Sequence, residues 1–198
     1  KYTADGEGFH AVYDFDLINT EPNVEALSQL LDNRSAFLRT GWMMNVFCNH
    51  DSKRSVSNLT EFAVAEGERQ AAAKLLAFMQ FALKGGGIIY QGEELGLPEV
   101  DLDRQYIKDP VGDLYFPWVK GRDGCRTPMP WKAKSDGAGF TTGTPWLPIP
   151  DYHKVRAADV QAGDGNSVLA HAKKVVALRK AHPALKFGDI RFLDTEGK

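Results

Sequence analysis

The ten residues Trp42 to Asp51, WMMNVFCNHD, decide how the rest of the chain is read. Seven mostly apolar residues end abruptly in Asn49, His50 and Asp51. A short apolar run closed by polar groups is the pattern of a buried parallel strand emerging at its carboxyl end. Two neighbouring stretches behave alike. Phe9 to Ile18 alternates between Gly8 and Asn19 and is expected to be a strand. Ile88-Ile89-Tyr90 follows the glycines 85–87 and runs into Gln91-Gly92-Glu93-Glu94.

Helical spacing separates these runs. Val24, Leu27, Leu30, Leu31 and Phe37 recur at helical intervals, with Thr20 as the expected N-cap and Pro22 in the first turn. Residues 68–84 place Ala72, Leu75, Leu76, Met79 and Leu83 on one face. A last helix opens at Asn166 or Ser167, carries Val168, Leu169, Ala172, Val175, Val176 and Leu178, and stops before Pro183. Residues 95–165 form a long irregular segment holding eight of the ten prolines, a length that in a compact domain points to function. Ile190 to Leu193 reads as the first strand of a new unit.

Strand, helix, strand, helix, strand, long loop, helix is an α/β order of right-handed crossovers and a parallel sheet. Ligands bind such sheets at the carboxyl ends of the strands. Asn49-His50-Asp51 and Gln91 to Glu94 both fall there. Asp51 can accept from a ligand hydroxyl and His50 can donate to one. Spacing alone admits a capping Asp and a hydrogen-bonded core His equally well.

Composition narrows the rest. Over 198 residues, 43% are hydrophobic and 25% charged, with net charge -2, a soluble globular balance. Without a basic run, neither nucleic acid nor an anionic membrane is an expected partner. The longest apolar stretch, 75–83, falls far short of the ~20 residues a membrane span needs. Cys48 and Cys125 give no metal spacing and no disulfide framework, so no metal or cofactor is expected and a reducing, cytoplasmic setting is. The chain opens on Lys1 with no visible leader.

Several segments in order resemble the α-amylase family of glycoside hydrolases (family thirteen), in its α-glucosidase and oligo-1,6-glucosidase branch. FCNHDSKR (47–54) resembles the family's strand ending in Asn-His-Asp with Arg three residues on. IIYQGEELGL (88–97) is similar to its eighth strand, and GRDGCRTPMPW (121–131) to its α-glucosidase signature. GTPWLPIP (143–150) and the stretch 167–190 follow in register. The chain departs from the pattern at Pro130, where Gln is usual, and at Pro150, where Asn is usual.

The resemblance implies a fold and a division of labour. Residues 1–188 would be the C-terminal portion of a (β/α)8 TIM barrel, about strands six to eight with their helices, and 189–198 the start of a β-domain. Asp51 would be the transition-state stabiliser that grips the secondary hydroxyls of the glucosyl unit. His50, Arg126, Asn49 and Arg54 would bind substrate, Arg54 by orienting the strand end. Ser52 and Lys53 would face the leaving group. Glu93 and Glu94 would be structural.

A retaining glycosidase needs two further carboxyl groups about 5.5 Å apart. In the family they come from earlier strands, so the nucleophile and the general acid are expected outside these 198 residues, leaving this piece alone inactive. Its open sheet edges would call for another chain to cover them. The expected activity is hydrolysis of terminal α-linked glucose from short oligosaccharides. A transglycosylase or isomerase of the same family, and a non-catalytic binding or assembly module, remain as alternatives.

Overall fold

The computed structural model describes residues 2–3, 7–21, 23–37, 41–60 and 66–190. Its framework is three parallel strands, β1 (Ala11–Tyr13), β2 (Trp42–Asn45) and β3 (Gly86–Gly87), in that spatial order. Ala11 pairs with Trp42 and Tyr13 with Met44; Met44 pairs with Gly86 and Asn45 with Gly87. Helices α1 (Asp16–Asn19) and α2 (Val24–Phe37) connect β1 to β2, and α3 (Ser55–Leu59) and α4 (Glu66–Ala82) connect β2 to β3.

Three local expectations shift. The first strand is shorter than Phe9 to Ile18, because Asp14 is buried and its Oδ1 accepts the Asp16 backbone N–H at 2.9 Å, turning the chain into α1. Thr20 does not cap α2. It closes α1, its hydroxyl donating to the Asp16 carbonyl at 2.7 Å, while Asn23 Oδ1 accepts the Ala26 N–H at 2.8 Å at the start of α2. The third strand lies on the glycines rather than on Ile88 to Tyr90. A Cβ on Gly86 would sit 2.5 Å from the tip of the Met44 side chain, so a larger residue there would require that methionine to move. Ile88 extends the pairing by one bond, its N–H donating to the Asn45 carbonyl at 3.1 Å.

Helix α4 forms where its periodicity predicts, but its buried stripe is one position over. Ala73 and Ala77 are buried, whereas Leu75 is 52% exposed. Small residues allow close approach: Val56, Ala73 and Val168 form one core cluster. Leu75, Met79 and Leu83 instead face Leu27 and Leu31 of α2 across an open groove of about 410 Å³.

The segment 95–165 is irregular but not coreless. It is a succession of single turns and short helices, α5 (Pro110–Tyr115), α6 (Asp151–Lys154) and α7 (Ala158–Ala162), before α8 (Val168–Ala181) and α9 (Ala184–Phe187). Val100, Leu102, Ile107 and Leu147 pack together inside it. Gln161 fastens its two ends, donating to the Leu95 carbonyl at 2.8 Å and accepting from the Leu169 N–H at 3.0 Å. Ser167 caps α8, its Oγ accepting from Ala170 N–H at 3.1 Å. The strand expected at Ile190 to Leu193 lies, beyond Ile190, outside the described residues.

Arg179 on α8 neutralises the carbonyl end of α4. Its NH1 donates to the carbonyls of Phe81, Leu83 and Leu185 at 2.7, 3.1 and 2.6 Å, and its NH2 to that of Gly85. The Phe81, Leu83 and Gly85 carbonyls lie at or just past the C-terminus of α4, where a cation is favoured. Arg179→Ala is expected to lower unfolding free energy by about 2 kcal/mol, read from denaturant midpoints at constant slope.

His153 gives the fold an acid sensitivity. It is fully buried, with its Nε2 2.9 Å from the Pro98 carbonyl, the geometry of a neutral ring donating there. Burial pushes its pKa down from 6.5 to about 4. Between those values the unfolded chain holds a proton that the folded one lacks. Stability is therefore complete above about pH 6.5 and is lost as pH falls towards 4, by on the order of 3 kcal/mol. Thermal midpoints at pH 7.5 and 4.5 should fall less steeply in His153→Gln than in the parent sequence.

Candidate active site

The site is assembled at the carboxyl end of the middle strand. Val46, Phe47 and Cys48 carry β2 onward in full burial. Asn45 pins that strand: its Nδ2 donates to the Gln80 and Lys84 carbonyls, both at 3.4 Å. The chain then turns outward at Asn49. Asn49 Oδ1 accepts the Asp51 N–H at 2.8 Å, and Asn49 N–H donates to Ser52 Oγ at 2.8 Å, the self-bonding turn that Asn favours. Its Nδ2 donates to the Tyr13 hydroxyl at 3.1 Å, tying the ends of β2 and β1 together.

This turn presents Asp51 with its side chain half exposed. Oδ1 accepts from Arg126 NH2 at 2.8 Å and from Arg122 NH1 at 2.9 Å, and Oδ2 lies 3.3 Å from His50 Nε2. Arg126 Nε donates to the His50 carbonyl at 2.7 Å, so one guanidinium clamps both the turn's backbone and its carboxylate. Partial loss of solvent pushes the Asp51 pKa up. The hydrogen bond from Arg122, the charge at His50 and the bond from Arg126 outweigh it and hold the group below its usual range. Asp51 is thus an anion at neutral pH, a hydroxyl acceptor rather than a proton donor.

Asn49, His50, Asp51 and Arg126 converge as the sequence suggests. Arg54 does not join them. It is 1% exposed at the head of α3, its NH1 donating to the Gln91 carbonyl at 2.8 Å and its backbone N–H to Glu99 Oε2 at 2.8 Å. A side chain so buried supports the strand end from below and touches no ligand at the open face. Arg122 and Asp109, by contrast, join the site without being among the residues the sequence nominates. The spacing of Arg122 and Arg126 across one 3-10 turn (Asp123–Arg126) was the available signal.

Glu93 and Glu94 are engaged within the fold. Glu93 accepts from Tyr90 N–H, Ser55 Oγ and Cys48 Sγ at 2.8, 2.9 and 3.1 Å, and Glu94 from Gly92 N–H at 2.8 Å. Burial raises the Glu93 pKa. Both thiols are buried; burial drives Cys48 far up and Cys125 up to about 11. Neither should react with a thiol reagent such as DTNB at pH 8 until the chain is unfolded, when both should.

Beside Asp51 opens a cavity of about 880 Å³, bordered by Ser52, Lys53, Glu99, Arg122 and Tyr152. Among the described residues no group of three or more His, Cys, Asp or Glu is arranged to hold a metal ion. No helix among them is long and apolar enough to cross a membrane.

A carboxylate clamped by arginine stands at a parallel strand end beside an open cavity, and residues 8–188 match the family described as alpha amylase, catalytic domain. The chain belongs to that family. It is 42% identical over its whole length to a probable alpha-glucosidase of Rhizobium meliloti (strain 1021), and covers 35% of that protein. It superposes on the alpha-glucosyl transfer enzyme XgtA with TM-score 0.88 at 37% identity, over 98% of this chain and 35% of that one. The trehalulose synthase MutB from Pseudomonas mesoacidophila MX-45 gives TM-score 0.81 at 28% identity, over 95% and 38%. The chain therefore spans about a third of the length of the relatives it matches.

Proposed function

We propose that this chain is the C-terminal part of the (β/α)8 catalytic barrel of a retaining α-glucosidase acting on terminal α-linked glucose of short oligosaccharides. In this reading β1, β2 and β3 are the sixth, seventh and eighth barrel strands, and residues from 189 on begin a β-domain. The observation that carries it is the ionised, half-exposed Asp51 at the end of β2, held by Arg126 and Arg122 with His50 alongside.

Asp51 has the right charge for the stabiliser's work. Positive charge builds at the anomeric carbon and ring oxygen in the transition state, and a preorganised anion nearby lowers that barrier. Its oxygens also accept from secondary hydroxyls, with Arg126 and His50 as neighbouring donors and Asn49 as the turn-former. The nucleophile and the general acid come from strands outside these residues, so the 198-residue piece alone is inactive. The rest of the barrel, as the remainder of the polypeptide or another chain, covers the outer edges of β1 and β3. The two free, separately buried thiols suit a cytoplasmic setting.

The names of the structural neighbours favour a second reading, glucosyl transfer or sugar isomerisation at the same site. Supplying the full-length protein with maltose, isomaltose, sucrose and trehalose separates the two. Glucose release supports hydrolysis; a new disaccharide supports transfer. Neither, with sugar still bound in calorimetry, identifies a binding module instead.

A further inference from the structure

Arg122 is absent from the residues the family resemblance nominates, yet it meets the site's central carboxylate as closely as Arg126 does. Both guanidiniums donate to Asp51 Oδ1, at 2.9 and 2.8 Å. The second oxygen, Oδ2, has His50 Nε2 at 3.3 Å as its neighbour.

The far side of Arg122 is anchored. Its Nε and NH2 donate to Asp109 Oδ2 and Oδ1 at 2.6 and 3.3 Å, and its backbone N–H to Oδ2 at 2.9 Å. Asp109 is 2% exposed and caps α5 through Val111 N–H at 3.1 Å. Buried Asp123 in turn accepts the backbone N–H groups of Lys108 and Asp109 at 2.5 and 2.7 Å, fixing where Asp109 sits. Gly121, at φ +70°, lies so near that a Cβ there would be 2.9 Å from Asp109 Cβ, so the approach requires glycine. A buried acid with this much structure behind it is a brace, and Arg122 bridges it to a half-exposed acid.

We propose that Arg122 is a positioning residue for Asp51: braced by Asp109, it holds Oδ1 and so leaves Oδ2 as the oxygen offered to a sugar hydroxyl. Arginine suits this task, because its planar fork meets both carboxylates in a fixed geometry, where a lysine's flexible point charge would not fix the orientation of either. The proposal rests on the reading of Asp51 as the carboxylate that grips the sugar.

The test uses the full-length protein with p-nitrophenyl α-glucoside, and the variants Arg122→Gln, Arg122→Lys, Asp51→Asn and the double variant Arg122→Gln/Asp51→Asn. Misplacing a reacting group by about an ångström costs up to ~100-fold. Arg122→Gln should lower kcat by about 10- to 100-fold with KM changed by less than about threefold. In the Asp51→Asn background the same change should cost almost nothing further, because the oriented group is already gone. Equal losses in both backgrounds, or an unchanged kcat, overturn the proposal. If Arg122→Gln does not fold, Arg122→Lys carries the test: it keeps a cation beside Asp109, and a wild-type kcat in that variant overturns the proposal. Should Asp51→Asn itself leave turnover intact, the sugar-cleaving role of Asp51 fails, an outcome distinct from a failure at Arg122 alone.

Discussion

Asp51→Asn in the full-length protein is expected to lower kcat on an α-glucoside by about 10²- to 10³-fold while the protein stays folded. Loss of one preorganised electrostatic contact to a developing charge costs that much in other enzymes. The substitution keeps the shape and one acceptor oxygen but removes the negative charge. Asp51 is half exposed and its partners are arginines with further acceptors, Asp109 for Arg122 and the His50 carbonyl for Arg126. The fold therefore loses little, and the thermal midpoint should move by no more than a few degrees. Steady-state kinetics beside a thermal melt separate the two effects. A variant that turns over substrate at the parent rate removes the proposed role.

Arg54→Ala should do the opposite: a large loss of stability and no direct change in sugar contact. Arg54 is 1% exposed, its NH1 satisfies the Gln91 carbonyl, and its guanidinium lies 5.7 Å from the Tyr90 ring centre. It also faces Glu99, whose pKa burial raises and whose charge Arg54's backbone N–H and cation help to keep. Truncation leaves a void, an unpaired Gln91 carbonyl and a part-buried Glu99 with Lys53 alone of its two cations. Removing one partner from such a buried set costs about 3–5 kcal/mol. Denaturant unfolding should show it, and any residual folded enzyme should retain its KM. A raised KM in a fully stable variant would place Arg54 at the ligand after all.

Those two residues mark where the sequence could be read and where it could not. The run Trp42 to Cys48 announces a buried strand, because burial on both faces demands continuous apolar side chains, and its polar end is where the site lies. Ser167 likewise declares the start of α8, since a hydroxyl cap is a local interaction. Gly86 and Gly87 carry no such signal. They are strand because they pair with Met44 and Asn45 of β2, a fact of tertiary packing. The buried stripe of α4 departs from its periodicity for a related reason: leucines dominate the pattern, but Val168 of the neighbouring α8 packs on Ala73. Arg54 and Arg122 are both arginines near Asp51 in space. Nothing in residue type says that one is sealed beneath the strand end while the other reaches it from 71 positions away.

The fastening by Gln161 has an evolutionary corollary. One amide clasps the Leu95 carbonyl and the Leu169 N–H, so the two ends of the excursion are held together where it leaves and rejoins the frame. Growth or shrinkage of its outer turns, around the exposed Gly143 for instance, falls in sequence between that clasp and the 122–126 turn that reaches β2. Lengthening the chain there, beyond the 122–126 turn, can remodel the outer surface of the excursion while Arg122 and Arg126 keep their hold on the carboxylate.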